Sequence, residues 1–504
     1  MASRPYIHTF RLQNGIPVLC MNDVYRESVL INWFINAGAL YDPIERLGLA
    51  HFVEHMFFKG TTQYPTPRNL NLSLDQYGAY CNAHTTQERT WYDIHIDSKH
   101  WEKGIEVIGQ MMFHSLFPED EIPPEREVVV NEIERDVESP QYVLSQDSSA
   151  WVWYGTPYAR MIGGFPETVR EITREDCIRF LGQYYQPHRM FLAIIGDLPS
   201  KSKAQAAIEK YLNRSSWNQT LLGKAQKELA YLGVAATSTT SIMDKPDWWP
   251  HSIVRSSSLH NKNHTKNHQD TGNRVGNPPC CFHQATKDHP LFPGPSIQYI
   301  PHNYTEDQVY LQIEFPIAQT NQPKILRAVE WFNAYLTGGM GSALFVELRE
   351  KRSLVYSVKS SLDAVLQLGV GSFMIKTSTS GDKKRLKDVC RIIRRELKKL
   401  TAKPLDAKTV KFYRQMAQGS ATIEVADPSR WMWKAADLYF REGQVPKKKE
   451  VLLGEEGEWA YCRPAKLHEL AQKWFNPETC WVSIVGKKSL GTTPFVKQLA
   501  KQLS

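Results

Sequence analysis

The chain has 504 residues, 42% of them hydrophobic, and a formal net charge of +8 from 61 basic and 53 acidic side chains. So small a charge over this length gives no argument for nucleic acid as a partner. No stretch approaches the roughly 18 consecutive apolar residues that a membrane span requires. At roughly 100–200 residues per domain, the length predicts two to four domains.

The cysteines and the first residues bear on the cellular compartment. The eight cysteines are scattered and only Cys280 and Cys281 are close together, which favours reduced thiols over a disulfide framework. Residues 1–10 contain neither an apolar signal region nor an Arg- and Ser-rich presequence. We therefore expect a cytoplasmic protein.

The segment 1–215 predicts strands followed by helices. Alternating or β-branched runs mark the strands, and apolar residues spaced three and four apart mark the helices. The predicted strands are 18–21, 29–36, 80–85, 91–97 and 191–195, and the predicted helices are 47–58, 102–114 and 124–137.

The segment 296–504 predicts a second half of the same kind. Its predicted strands are 309–315, 355–360, 369–377 and 481–485, and helices begin at Lys383. Segments 184–187 and 474–477 are each an aromatic pair, a polar residue and a proline before an apolar strand. Segment 343–348 resembles 50–55, with leucines replacing both histidines. We predict two homologous α+β halves, each an α/β sandwich in which helices cover an antiparallel-rich sheet.

Residues 216–295 differ in composition from both halves. They are rich in Ser, Thr, Asn, His, Pro and Gly and show little periodicity, which predicts a polar linker. A metal-binding or metal-sensing role for this segment is an alternative, because it holds six of the 16 histidines. These are His251, His260, His264, His268, His283 and His289.

The sequence His51-Phe52-Val53-Glu54-His55 is the pattern that carries chemistry. Residues four apart share one face of a helix, so His51 and His55 can hold one zinc ion through imidazole nitrogens. Glu54 can reach a water molecule at that metal without being a ligand, as a general base must. The alternative is a surface helix with two solvated histidines, which the apolar neighbours of this pair disfavour.

Two histidines leave a catalytic zinc one protein ligand short. The predicted helix 124–137 carries Glu125 and Glu132, two turns apart on one face. Glu132 suits the third ligand, and Glu125 suits a carboxylate that orients a ligand imidazole.

With these motifs the chain resembles the pitrilysin/insulinase family of zinc metallopeptidases, nearest its processing-peptidase-like short-chain branch. The resemblance covers both halves, about 420 residues. It implies one zinc per chain, held by His51, His55 and Glu132, with Glu125 behind them. It also implies that Asn82 and Ala83 lie on a strand edge to which the substrate adds as a further strand.

The resemblance extends to Arg349 and Tyr356 in the second half. In the family, an arginine and a tyrosine seven residues later reach the substrate near the scissile bond. Arg349 would contact the peptide backbone, and Tyr356 would steady the tetrahedral oxyanion. The alternative from the residues alone is a surface arginine and a core tyrosine.

The function that follows is a zinc-dependent endopeptidase that hydrolyses short unfolded peptides or trims a precursor or leader peptide inside a closed chamber. The alternative is a non-catalytic structural subunit, or the partner of a heterodimeric peptidase. The family's chamber needs four halves, so this chain forms half of a clamshell. Because the chain carries both the zinc motif and Arg349 with Tyr356, we predict a homodimer. A heterodimer with a paralogous subunit is the alternative.

Overall fold

The computed structural model describes residues 5–153, 156–213, 219–231, 296–302, 307–365, 369–446 and 453–503. These residues form two compact units, and each unit takes a segment from the other half of the chain. The first unit lies within Met1–Ile133, Arg160–Pro246 and Glu424–Leu452. The second unit lies within Glu134–Ala159, Asp247–Ile423 and Leu453–Ser504.

The first unit is built on a six-stranded sheet. Its strands are β1 (Tyr6–Arg11), β2 (Pro17–Asn22), β3 (Ser28–Ile35), β4 (Tyr80–Thr85), β5 (Thr90–Asp97) and β6 (Met190–Gly196). They lie in the order β1-β2-β6-β3-β5-β4, and all neighbours are antiparallel except β2 and β6. The predicted antiparallel-rich sheet is confirmed for this unit. Among the described residues, β4 forms one edge of the sheet.

The N-terminal part of the chain also contains α-helices. They are α1 (Leu49–Met56), α2 (Pro67–Asp75), α3 (Trp101–His114), α4 (Ile122–Asp136), α5 (Pro140–Val152), α6 (Pro166–Arg170), α7 (Arg174–Tyr184), α8 (Lys201–Leu212) and α9 (Leu221–Tyr231). The predicted helices at α1, α3 and α4 are confirmed to within two residues at each end.

The core of the first unit follows from the alternation along β3. Val29, Ile31 and Trp33 point to the face on which helix residues such as Phe52 pack, and all four are fully buried. Full burial of such a side chain contributes about 1.5–3 kcal/mol. This packing fixes α1, and with it the histidines, against the sheet.

The second unit repeats the arrangement with five strands. They are β7 (Ser296–Pro301), β8 (Gln308–Ala318), β9 (Val355–Val365), β10 (Val370–Ser380) and β11 (Trp481–Gly486). Their order is β7-β11-β8-β10-β9, and only β7 and β11 are parallel. This order matches β2-β6-β3-β5-β4, so the two predicted halves share one topology.

Helices follow the strands of the C-terminal part as they do in the N-terminal part. They are α10 (Pro323–Thr337), α11 (Ala343–Phe345, continued by the wider turn Val346–Glu350), α12 (Lys383–Ala402), α13 (Ala407–Ala426), α14 (Pro428–Glu442), α15 (Glu456–Trp459), α16 (Pro464–Trp474) and α17 (Thr493–Leu503).

The two pairs of similar sequence segments have different outcomes in the structure. Segment 184–187 stands between α7 and β6, and segment 474–477 stands in the same way between α16 and β11. The prediction that segment 343–348 is the structural counterpart of segment 50–55 is wrong. Two helices separate β3 from β4 and two separate β8 from β9, and α11 is the second of its pair, so it occupies the place of α2.

The predicted linker is described only at its start. There the structure has helix α9, whose Leu222, Ala225 and Leu229 are buried, because their spacing puts them on one face. The six histidines of the segment lie outside the described residues, and the boundaries at 215 and 295 stay predictions. No helix in the described part of the chain has the length and hydropathy to span a membrane.

Candidate active site

Helix α1 begins without a side-chain cap of its own. Gly48 precedes it with φ +94°, and a side chain there would meet the carbonyl of Gly163. The Asp42 carboxylate accepts hydrogen bonds from the backbone N–H groups of Gly48 and Ala50, each at 2.8 Å. A buried carboxylate therefore satisfies the first N–H groups of the helix that carries the histidines.

His51, His55 and Glu132 come together between α1 and α4. Nε2 of His55 lies 3.3 Å from Nε2 of His51 and 3.5 Å from Oε2 of Glu132, and the remaining separation is 3.9 Å. Donor atoms about 2.0–2.1 Å from a tetrahedral zinc ion are roughly 3.3–3.4 Å apart. The three donor atoms therefore fit one zinc ion, and among the described residues they form the one cluster of this kind.

Glu125 holds the ring of His55 from the other side. Its Oε1 lies 2.7 Å from Nδ1 of His55, and its second oxygen is paired with Lys59. Burial acts to raise the pKa of Glu125, but the hydrogen bonds from His55 and Lys59 outweigh it and lower that pKa. An ionised Glu125 keeps the proton of His55 on Nδ1 and leaves Nε2 facing the donor atoms of His51 and Glu132.

The two histidines have different electrostatic environments. Burial lowers the pKa of His51 to about 3, and the neighbouring His55 adds to the effect. Burial also acts to lower the pKa of His55, but Glu125, Glu54 and Glu132 together raise it. A neutral imidazole is the form that binds metal.

Glu54 is buried beside this cluster and is held by β4. Its Oε2 accepts a hydrogen bond from the Thr85 hydroxyl at 2.5 Å. Burial raises the pKa of Glu54 to about 7, with the Thr85 hydrogen bond opposing the shift. A carboxyl group whose pKa is close to 7 can take up and release a proton near physiological pH.

The strand β4 places Asn82 and Ala83 at the sheet edge. Asn82 is paired with Asp93 and Ala83 with Tyr92 on β5, so β4 has its other side unpaired within the described sheet. An unpaired strand edge can accept an extended peptide through backbone hydrogen bonds.

Arg349 and Tyr356 belong to the second unit and contact each other there. Nη1 of Arg349 donates to the Tyr356 carbonyl at 2.9 Å, and its guanidinium lies 4.8 Å from the centre of the Tyr356 ring. Tyr356 is 80% exposed, so it is not a core tyrosine. Its role toward a substrate stays a prediction.

Three supporting residues were missed from the sequence. Lys59 lies beyond the end of α1, so helical spacing does not link it to Glu125 on α4. Asp42 and Thr85 also lack a local signal toward their partners, because Asp42 joins a loop to α1 and Thr85 joins β4 to α1. Only the tertiary structure shows that they support α1 and Glu54.

Two like α/β units, one with a His-His-Glu cluster beside a buried glutamate, define a candidate metallopeptidase. The family model "Insulinase (Peptidase family M16)" matches residues 17–164. The model "Peptidase M16 inactive domain" matches residues 171–253 and 260–416. The chain therefore belongs to the pitrilysin/insulinase family of peptidases.

Curated relatives match part of the chain. An uncharacterized zinc protease of Rickettsia felis is 30% identical over 188 residues, which are 37% of this chain and 45% of the relative. Mitochondrial-processing peptidase subunit beta of Neurospora crassa is 30% identical over 206 residues, 41% of this chain and 43% of that protein. The match thus spans less than half the length of these relatives.

A solved structure matches over nearly the whole chain. The protease from Helicobacter pylori superimposes with a TM-score of 0.69 at 16% identity, over 96% of this chain and 100% of that one. At this identity the likeness concerns the fold alone.

Proposed function

We propose that this chain is a zinc-dependent endopeptidase that acts on short, unfolded peptides. The observation that carries the proposal is the convergence of His51, His55 and Glu132, with Glu54 buried beside them. The name "zinc protease" of the Rickettsia felis relative supports the choice of metal.

Each residue has a distinct part in this proposal. Zinc, when bound, supplies a Lewis acid for hydrolysis of the peptide bond. Glu54 removes a proton from the attacking water and passes it to the leaving amine. Thr85 holds Glu54 in place, and Glu125 orients the ring of His55.

The substrate binds as a strand added to β4 beside Asn82 and Ala83. Backbone hydrogen bonds then provide most of the affinity, so flexibility and length of the peptide matter more than its sequence. Trimming of a precursor or leader peptide fits this mode equally well.

Cytoplasmic localisation stays a prediction.

The assembly proposed with this function is a homodimer whose sites are completed by the second halves. Arg349 and Tyr356 of one subunit then act at the zinc site of the other. The relative named "subunit beta" supports an assembly of more than one chain. A heterodimer with a paralogous subunit is the alternative arrangement.

The experiment that tests the function compares Glu54→Gln with wild-type protein. We expect Glu54→Gln to keep the fold and one zinc per chain and to lose about 10²–10⁴-fold in peptide hydrolysis, because it lacks the general base. Zinc content, circular dichroism and hydrolysis of a mixed peptide library, with and without chelator, are the measurements.

The matched control is Glu45→Gln, an exposed carboxylate shortly before α1. It should hydrolyse peptides at the wild-type rate. If Glu54→Gln is as active as Glu45→Gln, Glu54 is not the base. If zinc-loaded wild-type protein cleaves nothing in the library, the chain is a non-catalytic subunit.

A further inference from the structure

A cavity of about 370 Å³ lies in the second unit where β8, β9, β10 and α12 meet. This volume is within the range of pockets that hold small ligands or side chains. It includes Arg349 and Tyr356 but extends beyond them. The lining residues are Gln308, Arg349, Ser353, Leu354, Val355, Tyr356, Ser378, Thr379, Ser380 and Arg385.

The charges in this cavity are all of one sign. Two guanidinium groups line it, and none of its ten described lining residues is acidic. The neighbouring carboxylate of Asp382 accepts a hydrogen bond from the backbone N–H of Arg385, as the cap of α12. Two cations without a carboxylate between them raise the local affinity for an anion.

The two guanidinium groups are already oriented. Arg349 is fixed by the Tyr356 carbonyl and by the ring of Phe345, whose centre is 4.9 Å away. Arg385 donates from Nη2 to the carbonyl of Ser353, while its buried Nε has no hydrogen-bond partner among the described residues. An oriented guanidinium with unused donors suits a planar carboxylate.

Helix α12 extends the positive charge away from the cavity. It carries nine Lys and Arg residues but only Asp388 and Glu396 as acids. Asp388 is paired with Arg391, and Glu396 with Arg395 and Lys399. Among the other cations of the helix, Lys383 and Lys384 are exposed at its start and Lys398 is exposed toward its end.

We propose that this cavity binds a carboxylate of the peptide substrate through Arg385 together with Arg349. The inference rests on the proposed function and deepens it, because it names acidic peptides as the preferred substrate class. The carboxylate is either an Asp or Glu side chain or the C-terminal group of the peptide, since both present the same planar anion.

The test measures binding of labelled peptides to full-length Glu54→Gln protein, in which the probe is not consumed. Three short flexible peptides share one sequence: a Glu version with an amidated C-terminus, its Gln counterpart with an amidated C-terminus, and the Gln version with a free C-terminus. Fluorescence anisotropy gives the Kd of each. We expect one of the two anionic peptides to bind roughly tenfold tighter than the neutral one.

Adding Arg385→Gln should remove most of this preference without weakening the neutral peptide. Lys384→Gln removes the same charge from an exposed neighbour that does not line the cavity, and it should keep the preference. Ser380→Asp is a second variant that leaves Arg385 in place. It puts a carboxylate at the cavity wall and should also abolish the preference.

Equal binding of all three peptides would overturn the proposal, as would a preference that survives both Arg385→Gln and Ser380→Asp. If Lys384→Gln abolishes the preference for the anionic peptide as fully as Arg385→Gln does, the preference comes from the overall positive charge of α12. That result would also overturn the cavity as the binding site. Hydrolysis of the neutral peptide by wild-type protein tests the proposed function separately, because that peptide has no carboxylate for Arg385 to bind.

Discussion

Nδ1 of His55 lies 2.7 Å from Oε1 of Glu125, and the same carboxylate is paired with Lys59. The contact joins α1 to α4, the two helices that supply the three proposed ligands. It places the imidazole proton on the side away from Glu132 and directs Nε2 toward the other two donor atoms.

This relationship predicts the effect of Glu125→Gln. The variant keeps the three ligands but loses the charged partner of His55, so we expect zinc affinity to fall about 10–100-fold. Competition with a chelator of known affinity measures the change. Glu127→Gln is the control, because Glu127 is exposed on the same helix and pairs with Arg170 at the surface. Equal zinc affinity in both variants would show that Glu125 does not support zinc binding.

Ser148 of α5 tests the packing of that helix on the second sheet. Its hydroxyl donates to the fully buried Glu314 carboxylate, to which Ser372 also donates at 2.6 Å. Ser148→Ala leaves a buried carboxylate short of one donor, so the free energy of unfolding should fall by about 1–3 kcal/mol. Urea unfolding measures this. Ser149→Ala, the next residue on the same helix, should change stability much less, and an equal loss would contradict the explanation.

Asp93 on β5 predicts a pH dependence of stability. Burial raises the pKa of Asp93 from 3.8 to about 6. Because the folded-state pKa is the higher one, its contribution to stability is complete below pH 3.8 and is lost as the pH rises through about 6.

Asp93→Asn should remove this dependence. Relative to the variant, the zinc-free wild type should lose roughly 2–3 kcal/mol of unfolding free energy from about pH 4 to pH 7, at about 1.4 kcal/mol per pKa unit. Urea unfolding at each pH gives the two curves. Asp75→Asn, an exposed carboxylate at the end of α2, should leave the wild-type curve unchanged. Parallel curves for wild type and Asp93→Asn would contradict the shift.

The homodimer predicts complementation between two inactive chains. Glu54→Gln and Tyr356→Phe each damage every site in their own dimers. In an equimolar mixture about half the dimers are mixed, and each has one intact site if sites are completed in trans. Activity should therefore recover to about a quarter of wild type. No recovery, after subunit exchange is demonstrated by differential labelling, would mean that each chain completes its own site.

The local periodicity of apolar residues predicted many of the strands and helices. The alternation along β4 and β5 and the apolar spacing in α1, α3 and α4 located these elements to within about two residues, because each pattern reflects burial of one face. The same reasoning placed His51 with His55, and Glu125 with Glu132, since residues four or seven apart share a helix face.

The sequence by itself thus determined which residues share a face, and the tertiary structure decided which faces meet. The approach of Nε2 of His55 to Glu132 depends on how α4 lies against α1, which no local pattern encodes. The same holds for the Asp42 cap of α1 and for Ser148 of α5 against Glu314 of β8. Such contacts join different elements through the packing of the folded chain, and no local sequence pattern predicts them.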